Sequence, residues 1–495
     1  MSPDARRYVF APLEQRGVVA GLRAGQVALL GGGLVGDTLL LRIVPDLAGV
    51  GAAVVVLLAV AAAAFLPVAG RPIEQWAPTV VRRGVRIARR AAGTRPVPNR
   101  AAWRRRPLPA GGPTGLARMP AALAGLSFSE VAAPGRGPVA VISDSASRTL
   151  TAVVAVRGRS FTLLDEGDKE RRLASWAHVL AGLSREGGAV RTLQWVERTV
   201  PGDGEALVRH LERTRVLPPT DPAVSSYQEL VSTAGPLGQD HECFIALSVR
   251  PPRRRGSATP SDILLRELRL LEGQLRSAEV DLDRPLSRRE LGAVLRTSFD
   301  PWSRPGIRRR AARHPDLPGP SPAAAWPCST DEGWGSWRTD DLWHATFWVA
   351  EWPRAEVGPD FMSGLLLHAG AQRSVAVVMA PLAPSAGIRE AEAARTAQAA
   401  DDQLRAKAGF LATARRRREA EGIIRRETEL SDGHAAYRFS GYVTVTARSP
   451  DELETATGEA IQAAHQSRME LRRLYGVQDL AFTWTMPLGR GLARR

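Results

Sequence analysis

A chain of 495 residues that is 44% hydrophobic predicts roughly two to four folded units with ordinary cores. Its net charge of +16 comes almost entirely from arginine, since Lys169 and Lys407 are the only lysines, and this bias indicates a GC-rich bacterial genome. Cys243 and Cys328 are the only cysteines and lack CxxC spacing, so the sequence suggests neither a disulfide framework nor a zinc site and fits a reducing compartment. The basic excess has two open interpretations: binding of nucleic acid or anionic lipid, or an arginine-rich proteome with added charge near a membrane.

Two apolar stretches near the amino terminus, 24–44 and 50–69, are separated only by the short turn 45–49. Each has about 20 residues, enough for a helix to cross a hydrocarbon core of ~30 Å. We therefore predict a transmembrane helical hairpin over 24–69, preceded by a cytoplasmic amino-terminal segment, 1–23. The first stretch is longer than a signal-peptide core and a second follows at once, which excludes a cleavable signal peptide.

Arginine residues flank the predicted hairpin on both sides, whereas the turn carries Asp46 as its only charge. The flanking arginines are Arg6, Arg7, Arg16 and Arg23 before the hairpin, and Arg71, Arg82, Arg83, Arg86, Arg89, Arg90, Arg95, Arg100, Arg104, Arg105 and Arg106 after it. The positive-inside rule therefore predicts a protein of the bacterial cytoplasmic (inner) membrane with two spans and both termini in the cytoplasm.

The first predicted span contains six residues that are candidates for membrane assembly: Gly31, Gly32, Gly33, Gly36, Asp37 and Arg42. The glycines offer a strip of small residues where another helix could approach closely. Asp37 has two open interpretations: it faces a protein partner or an aqueous path, or the helix sits shallowly and leaves it near the outer surface. Arg42 lies near the outer end of the span and can extend its charge to the interface.

A basic region, 70–125, follows the hairpin. Its first part, 76–92, fits an amphipathic helix lying along the inner leaflet. The candidate contacts to anionic lipid there are Arg82, Arg83, Arg86, Arg89 and Arg90. Its second part, 93–125, is rich in Pro, Gly and Arg and predicts a linker.

The remaining chain predicts two cytoplasmic α+β modules, 126–300 and 328–495, separated by a Pro/Arg-rich loop or linker, 301–327. The first module includes a short predicted strand at 161–164 and a predicted helix at 261–278, indicated by its leucines. In the second module the alternation in 342–351 predicts a strand. This module ends with a predicted helix, 450–474, and a strand, 482–486, in an order that suits a ferredoxin-like arrangement. The expected fold class is therefore α+β: an amino-terminal transmembrane helical hairpin followed by cytoplasmic mixed α/β modules of ferredoxin-like βαβ type.

Two features of the second module have both a binding and a structural interpretation. Six tryptophans between 326 and 352 could stack on nucleic-acid bases, but their surroundings are not notably basic, so core packing is favoured. A run of arginines on the predicted helix 388–429 is a candidate patch for a partner or a phosphate, with a solvated helix face as the alternative. Its members are Arg415, Arg416, Arg417 and Arg418.

No catalytic constellation is recognisable in the sequence, so we predict no enzyme activity, no cofactor and no metal site. A P-loop requires Gly-x-x-x-x-Gly-Lys-Ser/Thr, because the backbone amides and the lysine hold the phosphates. Neither Lys169 nor Lys407 lies in that frame, which excludes a Walker-type ATPase. The sequence also lacks GxSxG, HExxH and carboxylates clustered at metal-ligand spacing.

Several segments carry a family resemblance. Residues 8–14 (YVFAPLE) and 17–23 (GVVAGLR), with the hairpin, resemble an actinobacterial membrane protein family found with conjugation-type secretion components. The arrangement is similar to the PrgI-like small two-span subunits of type IV secretion. Residues 241–250, 343–353 and 471–488 resemble the amino-terminal, non-ATPase domain of the conjugation ATPases of the TraC, TrbE and CagE type. No catalytic residue of that family has a counterpart in this chain.

The resemblance implies a non-catalytic inner-membrane subunit of a conjugation or type IV-like secretion apparatus. The subunit would dock a separately encoded cytoplasmic P-loop ATPase to the translocation complex. Its other expected partners are further membrane subunits and anionic lipid, while nucleic acid is not favoured. Two alternatives stay open: a type VII secretion subunit of the EccE type, and a membrane-tethered nucleic-acid-binding protein.

Overall fold

The computed structural model describes residues 10, 24–65, 67–68, 71–72, 80–81, 83–84, 119–135, 137–157, 161–202, 204–218, 220–234, 238–251, 259–368, 370–407 and 414–492. The chain divides into two compact units. Residues 13–112 form one, which we name the hairpin unit. Residues 1–12 and 113–495 form the other, which we name the sheet unit.

The hairpin unit is built on two apolar helices, α1 (Ala24–Ile43) and α2 (Leu47–Phe65). Both are long and apolar enough to cross a membrane. The turn between them begins α2 with a side-chain cap, because Asp46 Oδ1 accepts a hydrogen bond from the Gly49 N–H at 2.7 Å. Gln26 Nε2 donates to the Ala64 carbonyl at 2.9 Å and so links the start of α1 to the end of α2. The two predicted helices are confirmed, while their insertion in a membrane stays a prediction.

Two short strands, β1 (Pro67–Val68) and β2 (Arg71–Pro72), pair after α2. Of the predicted juxtamembrane helix, 76–92, only residues 80–81 and 83–84 lie among the described residues, and these are helical. Most of the predicted linker, 93–125, lies outside the described residues.

The sheet unit contains one sheet of twelve strands. The strands are β3 (Leu126–Ala133), β4 (Gly137–Asp144), β5 (Thr149–Arg157), β6 (Val190–Pro201), β7 (Gln239–Val249), β8 (Asp281–Pro285), β9 (Thr330–Glu332), β10 (Trp337–Thr339), β11 (Leu342–Glu351), β12 (Gln372–Pro381), β13 (Tyr437–Ala447) and β14 (Glu470–Arg473). Their order is β3-β4-β5-β7-β6-β12-β13-β11-β10-β9, with β8 paired to β5 and β14 paired to β11. A mixed α/β unit with a large antiparallel sheet confirms the broad fold class predicted for the carboxyl-terminal 370 or so residues.

The helices of the sheet unit are α3 (Glu166–Leu183), α4 (Gly204–Thr214), α5 (Pro222–Ala234), α6 (Pro260–Ser277), α7 (Arg288–Phe299), α8 (Arg304–Arg313), α9 (Ser363–Leu366), α10 (Pro384–Lys407), α11 (Ala414–Ser431), α12 (Pro450–Gln466) and α13 (Gln478–Phe482). Local sequence explains where the main ones start. Thr259 with Asp262 forms a capping box at α6, and Ser287 with Glu290 forms another at α7.

The two halves of the sheet repeat one topology. β5 is followed by α3, β6, the helical pair α4–α5, β7, α6 and β8, and β11 is followed by α9, β12, the helical pair α10–α11, β13, α12 and β14. In the first half, β8 lies beside β5, and β7 lies between β5 and β6. In the second half, β14 lies beside β11, and β13 lies between β11 and β12. The halves join where β6 pairs with β12, at a boundary that we name the seam.

The main core lies where elements of both halves meet. Phe482 sits among three rings, with centroid distances of 5.3 Å to Phe299, 5.0 Å to Trp337 and 4.7 Å to His344. Trp326 joins the same cluster and is buried. Core packing is therefore confirmed for Trp326 and Trp337, which have no face free to stack on a base.

Three local predictions in the sheet unit are wrong. Residues Phe161–Leu163 form a 3-10 helix instead of a strand. Helix α12 ends at Gln466, short of 474, because Arg468 adopts a left-handed φ of 55° and the chain then enters β14. Phe482 ends α13 instead of opening a strand, since Thr483 and Thr485 donate to the carbonyls of Leu480 and Phe482 and so favour turns.

The segment predicted as a loop or linker, 301–327, contains the helix α8. Pro305 lies in its first turn, where a missing N–H costs nothing. Arg304 at the start of α8 is buried and donates to the Pro201 carbonyl at 2.8 Å, which ties the helix to the end of β6. The prediction missed α8 because this anchor comes from a distant strand.

Candidate functional site

The inner face of α1 carries Gly33 and Asp37, one turn apart. A Cβ at Gly33 would lie 2.9 Å from Val60 Cγ1, so a larger residue there would push α2 away. Asp37 is 8% exposed on the same side, and its Oδ1 has no hydrogen-bond partner among the described residues. Asp37 therefore faces into the α1–α2 pair.

The outer face of α1 carries the other glycines of the predicted assembly strip. A Cβ at Gly31, Gly32 or Gly36 would meet nothing within 4 Å, so these positions leave a shallow, open surface. Arg42 is exposed near the end of the helix. The structure thus leaves Gly31, Gly32 and Gly36 open, whereas Gly33 and Asp37 are covered.

The two predicted basic patches are described only in part. Arg82, Arg86, Arg89 and Arg90 lie outside the described residues, while Arg83 is helical and half-buried. The run Arg415, Arg416, Arg417 and Arg418 lies in the first turns of α11, where Arg417 is exposed.

A cluster of charged side chains around two buried arginines lies beside the seam and was not predicted. Arg198 on β6 stands opposite Glu242 on β7, with Arg198 Nη2 2.6 Å from Glu242 Oε2. Arg304 Nε of α8 lies 2.8 Å from the other carboxylate oxygen, and Arg304 also pairs with Asp240 at 2.8 Å. We name these four residues the Glu242 cluster; they connect β6, β7 and α8.

The charge state of Glu242 follows from its neighbours. Burial disfavours the carboxylate, but the charges and hydrogen bonds of Arg198 and Arg304 outweigh burial and lower the pKa of Glu242 to about 2. The carboxylate is therefore fully ionised at neutral pH. Both guanidinium groups are almost fully buried, and Glu242 pairs with both of them, while Arg304 also pairs with Asp240.

The opposite face of the same strands carries His241, Glu197 and Cys243, a combination that resembles a catalytic triad in composition. His241 Nδ1 lies 2.6 Å from Glu197 Oε1. Burial raises the pKa of Cys243 to about 12, and the nearby charges of Glu197 and Glu242 act in the same direction. The thiol is therefore protonated at neutral pH and is a poor nucleophile.

His344 in β11 is a structural residue. It is fully buried, which lowers its pKa to about 3, and its ring nitrogens contact Thr339 Oγ1 at 2.7 Å and Thr446 Oγ1 at 2.9 Å. A neutral imidazole between two hydroxyl groups holds β10, β11 and β13 in register. Among the described residues no group of three or more His, Cys, Asp or Glu side chains is placed to hold a metal ion.

Gln194 in β6 holds the carboxyl-terminal segment against the sheet. Its Nε2 donates to the carbonyls of Trp484 and Met486 at 2.8 and 2.9 Å, and its Oε1 accepts from the Gly489 N–H at 2.6 Å. Arg490 then donates to Asp144 at 3.0 Å. The last described residues therefore pass from the second half of the sheet to the first.

The sequence matches no protein-family model, and no curated protein is significantly similar to it. The three segments that carry the resemblance to conjugation ATPases, 241–250, 343–353 and 471–488, all lie in the sheet unit. They cover most of β7, most of β11, and β14 with α13.

Proposed function

We propose that this protein is a non-catalytic inner-membrane subunit of a conjugation or type IV-like secretion apparatus, which docks a separately encoded cytoplasmic ATPase to the translocation complex. The observation that carries the proposal is the pairing of two membrane-length apolar helices with a large sheet unit. In that sheet unit the buried ionisable groups beside the seam bind one another. Such a unit suits protein–protein docking better than chemistry.

In this proposal both ends of the hairpin lie in the cytoplasm. The arginines before α1 and after α2, against the single Asp46 in the turn, support that orientation. The open glycine surface of α1 supports close packing of a second transmembrane helix, because small residues let helix backbones approach.

We also propose that each half of the sheet is a ferredoxin-like module. The order of four strands in each half, with a helix after the first strand and another after the third, supports this assignment. Both halves insert a helical pair between the second and third strands, α4–α5 in one and α10–α11 in the other. The repeat supports an origin of the sheet unit from two copies of one module.

The α4–α5 pair is the surface that we propose for the ATPase. Val224 and Val231 of α5 are buried, whereas Tyr227 and Leu230 are 49% and 60% exposed. In the turn between the helices, Val216 is 95% exposed. Aromatic and aliphatic side chains that a monomer leaves in water are typical anchors of a protein interface.

The test uses the full-length chain in lipid nanodiscs and each P-loop ATPase encoded beside it. We expect one of these ATPases to bind, and we expect the double substitution Tyr227→Glu with Leu230→Glu to weaken binding at least about tenfold. Leu163→Glu, at a position that is 84% exposed outside α4–α5, is the matched control and should bind normally. Equal binding by both variants would place the interface elsewhere, and binding by none of the ATPases would overturn the proposed function.

A further inference from the structure

The sheet ends in an edge strand on each side, β3 in the first half and β9 in the second. The two strands hold equivalent places, because β3 and β4 pair in series before β5, as β9 and β10 do before β11. They differ in length and charge: β9 has three residues, two of them acidic, whereas β3 has eight residues and a single charge, Glu130. Short length and charge are the usual protection of an edge strand against pairing with another chain. β9 has this protection and β3 lacks it.

β3 is a regular strand that the core supports on both faces. Its pairing with β4 runs from Leu126 to Ala133 without a shift in register. Leu126 is buried in the main core, and Val131, on the opposite face, packs against a second core cluster. Among the described residues no strand pairs with the other side of β3. That side, which we name the free edge, therefore presents a regular row of backbone groups.

Neighbouring hydrogen bonds show which residues of β3 direct their backbone groups to the free edge. The Ser145 N–H donates to the Gly125 carbonyl at 3.0 Å, so Gly125 and every second residue after it bond to β4. The Ala140 N–H, opposite Glu130, points away from β3 and donates to the Leu286 carbonyl at 2.8 Å, which agrees with this alternation. The residues that direct their N–H and C=O groups to the free edge are Leu126, Phe128, Glu130 and Ala132.

The free edge of β3 is complementary to itself. The antiparallel register that uses all of these backbone groups places Ser129 opposite Ser129 of a second copy. Leu126 of one copy then faces Ala132 of the other, and Phe128 likewise faces Glu130. Each of the four residues donates and accepts one hydrogen bond, about eight in all. The register centred on Glu130 would instead place two like charges opposite each other.

We propose that β3 is a dimerisation edge, at which two copies of this chain join their sheets by antiparallel pairing of β3 with β3. The interface is isologous, because each copy contributes the same strand and the same set of hydrogen bonds. The proposal rests on described strands of the sheet unit alone. It requires neither the ATPase nor the membrane insertion proposed above, so its failure and theirs are distinguishable.

The first test is a disulfide at the two-fold axis of the proposed dimer. Ser129→Cys, in the full-length chain in detergent with the exposed Cys328 replaced by serine, should form a disulfide between two copies on mild oxidation. Residues that face each other in this type of pair have Cα atoms about 4.5 Å apart, which is within the range of a disulfide.

Ser127→Cys is the matched control for this disulfide. Ser127 and Ser129 are both exposed on one face of β3, but Ser127 is four residues, about 14 Å, out of register with its own counterpart. It should therefore form little disulfide. If Ser129→Cys crosslinks no more than Ser127→Cys, the proposal is overturned, whether β3 is covered by another segment of this chain or by a different protein.

The second test removes one outward N–H and leaves the pairing with β4 in place. Ala132 is exposed and directs its N–H to the free edge, where an edge strand tolerates proline. Ala132→Pro should lower the yield of the Ser129→Cys disulfide at least about tenfold, and should shift the chain from dimer to monomer in light scattering. Ala132→Thr keeps the N–H and should crosslink normally. A full yield of disulfide in Ala132→Pro would contradict pairing through the backbone of β3.

Discussion

Glu242→Gln is expected to lower the free energy of unfolding by about 3–5 kcal/mol, because it removes the carboxylate that pairs with two buried guanidinium groups at once. Arg198 and Arg304 each have side chains that are 4% exposed, so water cannot replace Glu242 at Arg198, whereas Arg304 keeps its ion pair with Asp240 at 2.8 Å. The measurement is denaturant unfolding of the full-length chain in detergent, followed by tryptophan fluorescence.

The same carboxylate predicts a pH dependence. Its folded pKa of about 2 lies below the ordinary value of 4.5, so its stabilising contribution is present above 4.5 and is lost as the pH falls from there through 2. The unsubstituted chain should therefore lose stability across that window more steeply than Glu242→Gln. The difference in free energy of unfolding between the two proteins should shrink as the pH falls.

Asp283→Asn is the matched control, because Asp283 pairs with Arg157 at 2.9 Å on the surface, with side chains that are 42% and 75% exposed. We expect a change below about 0.5 kcal/mol there, as is usual for exposed ion pairs. A loss in Glu242→Gln no larger than that of the control would show that the Glu242 cluster does not stabilise the junction of β6, β7 and α8.

Gln194→Leu is expected to destabilise the sheet unit by about 3 kcal/mol or more. Gln194 is fully buried, and its loss leaves the Trp484 carbonyl and the Gly489 N–H without their side-chain partner, while the Met486 carbonyl keeps its bond from the Leu488 N–H. Each buried group left unsatisfied costs about 1–3 kcal/mol. Hydrogen exchange of the amides from 484 to 489 should rise before global unfolding, since these residues are released first.

Gln398→Leu is the control for this substitution, since Gln398 in α10 is partly exposed and its side chain donates to its neighbour Asp402 at 3.2 Å. It should change stability by less than about 0.5 kcal/mol. If exchange in the carboxyl-terminal segment is the same in both variants, Gln194 does not hold that segment.

The sequence predicted elements whose pattern is local. The alternation in 342–351 predicted β11 with its observed bounds, and the leucines of 261–278 predicted α6 to within a residue at each end. The capping box of α6 is an example. Thr259 lies directly before the helix and Asp262 lies in its first turn, so the signal that starts the helix is local in the sequence.

Features that depend on distant residues were missed. In the sequence, Glu242 is a single carboxylate in an apolar strand. Only the folded chain brings Arg198 of β6 and Arg304 of α8 into contact with it. In the sequence, Gln194 is a polar residue within an apolar strand, and its hydrogen-bond partners lie nearly 300 residues later in the chain. The repeat of two halves is likewise a property of strand order, which hydrophobic periodicity does not encode.

Asp37 illustrates a partial success. The sequence singled out a charge in an apolar span as a candidate assembly residue. Asp37 lies one helical turn after Gly33, so the two residues share a face of α1, and in the structure that face packs on α2. Only the packing of the second helix could show that Gly31, Gly32 and Gly36 stay open while the carboxylate is covered.

Thiol labelling with a membrane-impermeant maleimide, at mildly alkaline pH, tests the proposed orientation most directly. Cys328 is exposed on the sheet unit, whereas Cys243 is half-buried with a pKa raised to about 12 and should label far more slowly. Leu47→Cys adds a reporter at the first residue of α2, next to the turn of the hairpin, at a position that is 94% exposed. We expect label at Leu47→Cys in intact cells and at Cys328 only after permeabilisation. Label at Cys328 in intact cells would contradict a cytoplasmic sheet unit and, with it, the docking of a cytoplasmic ATPase.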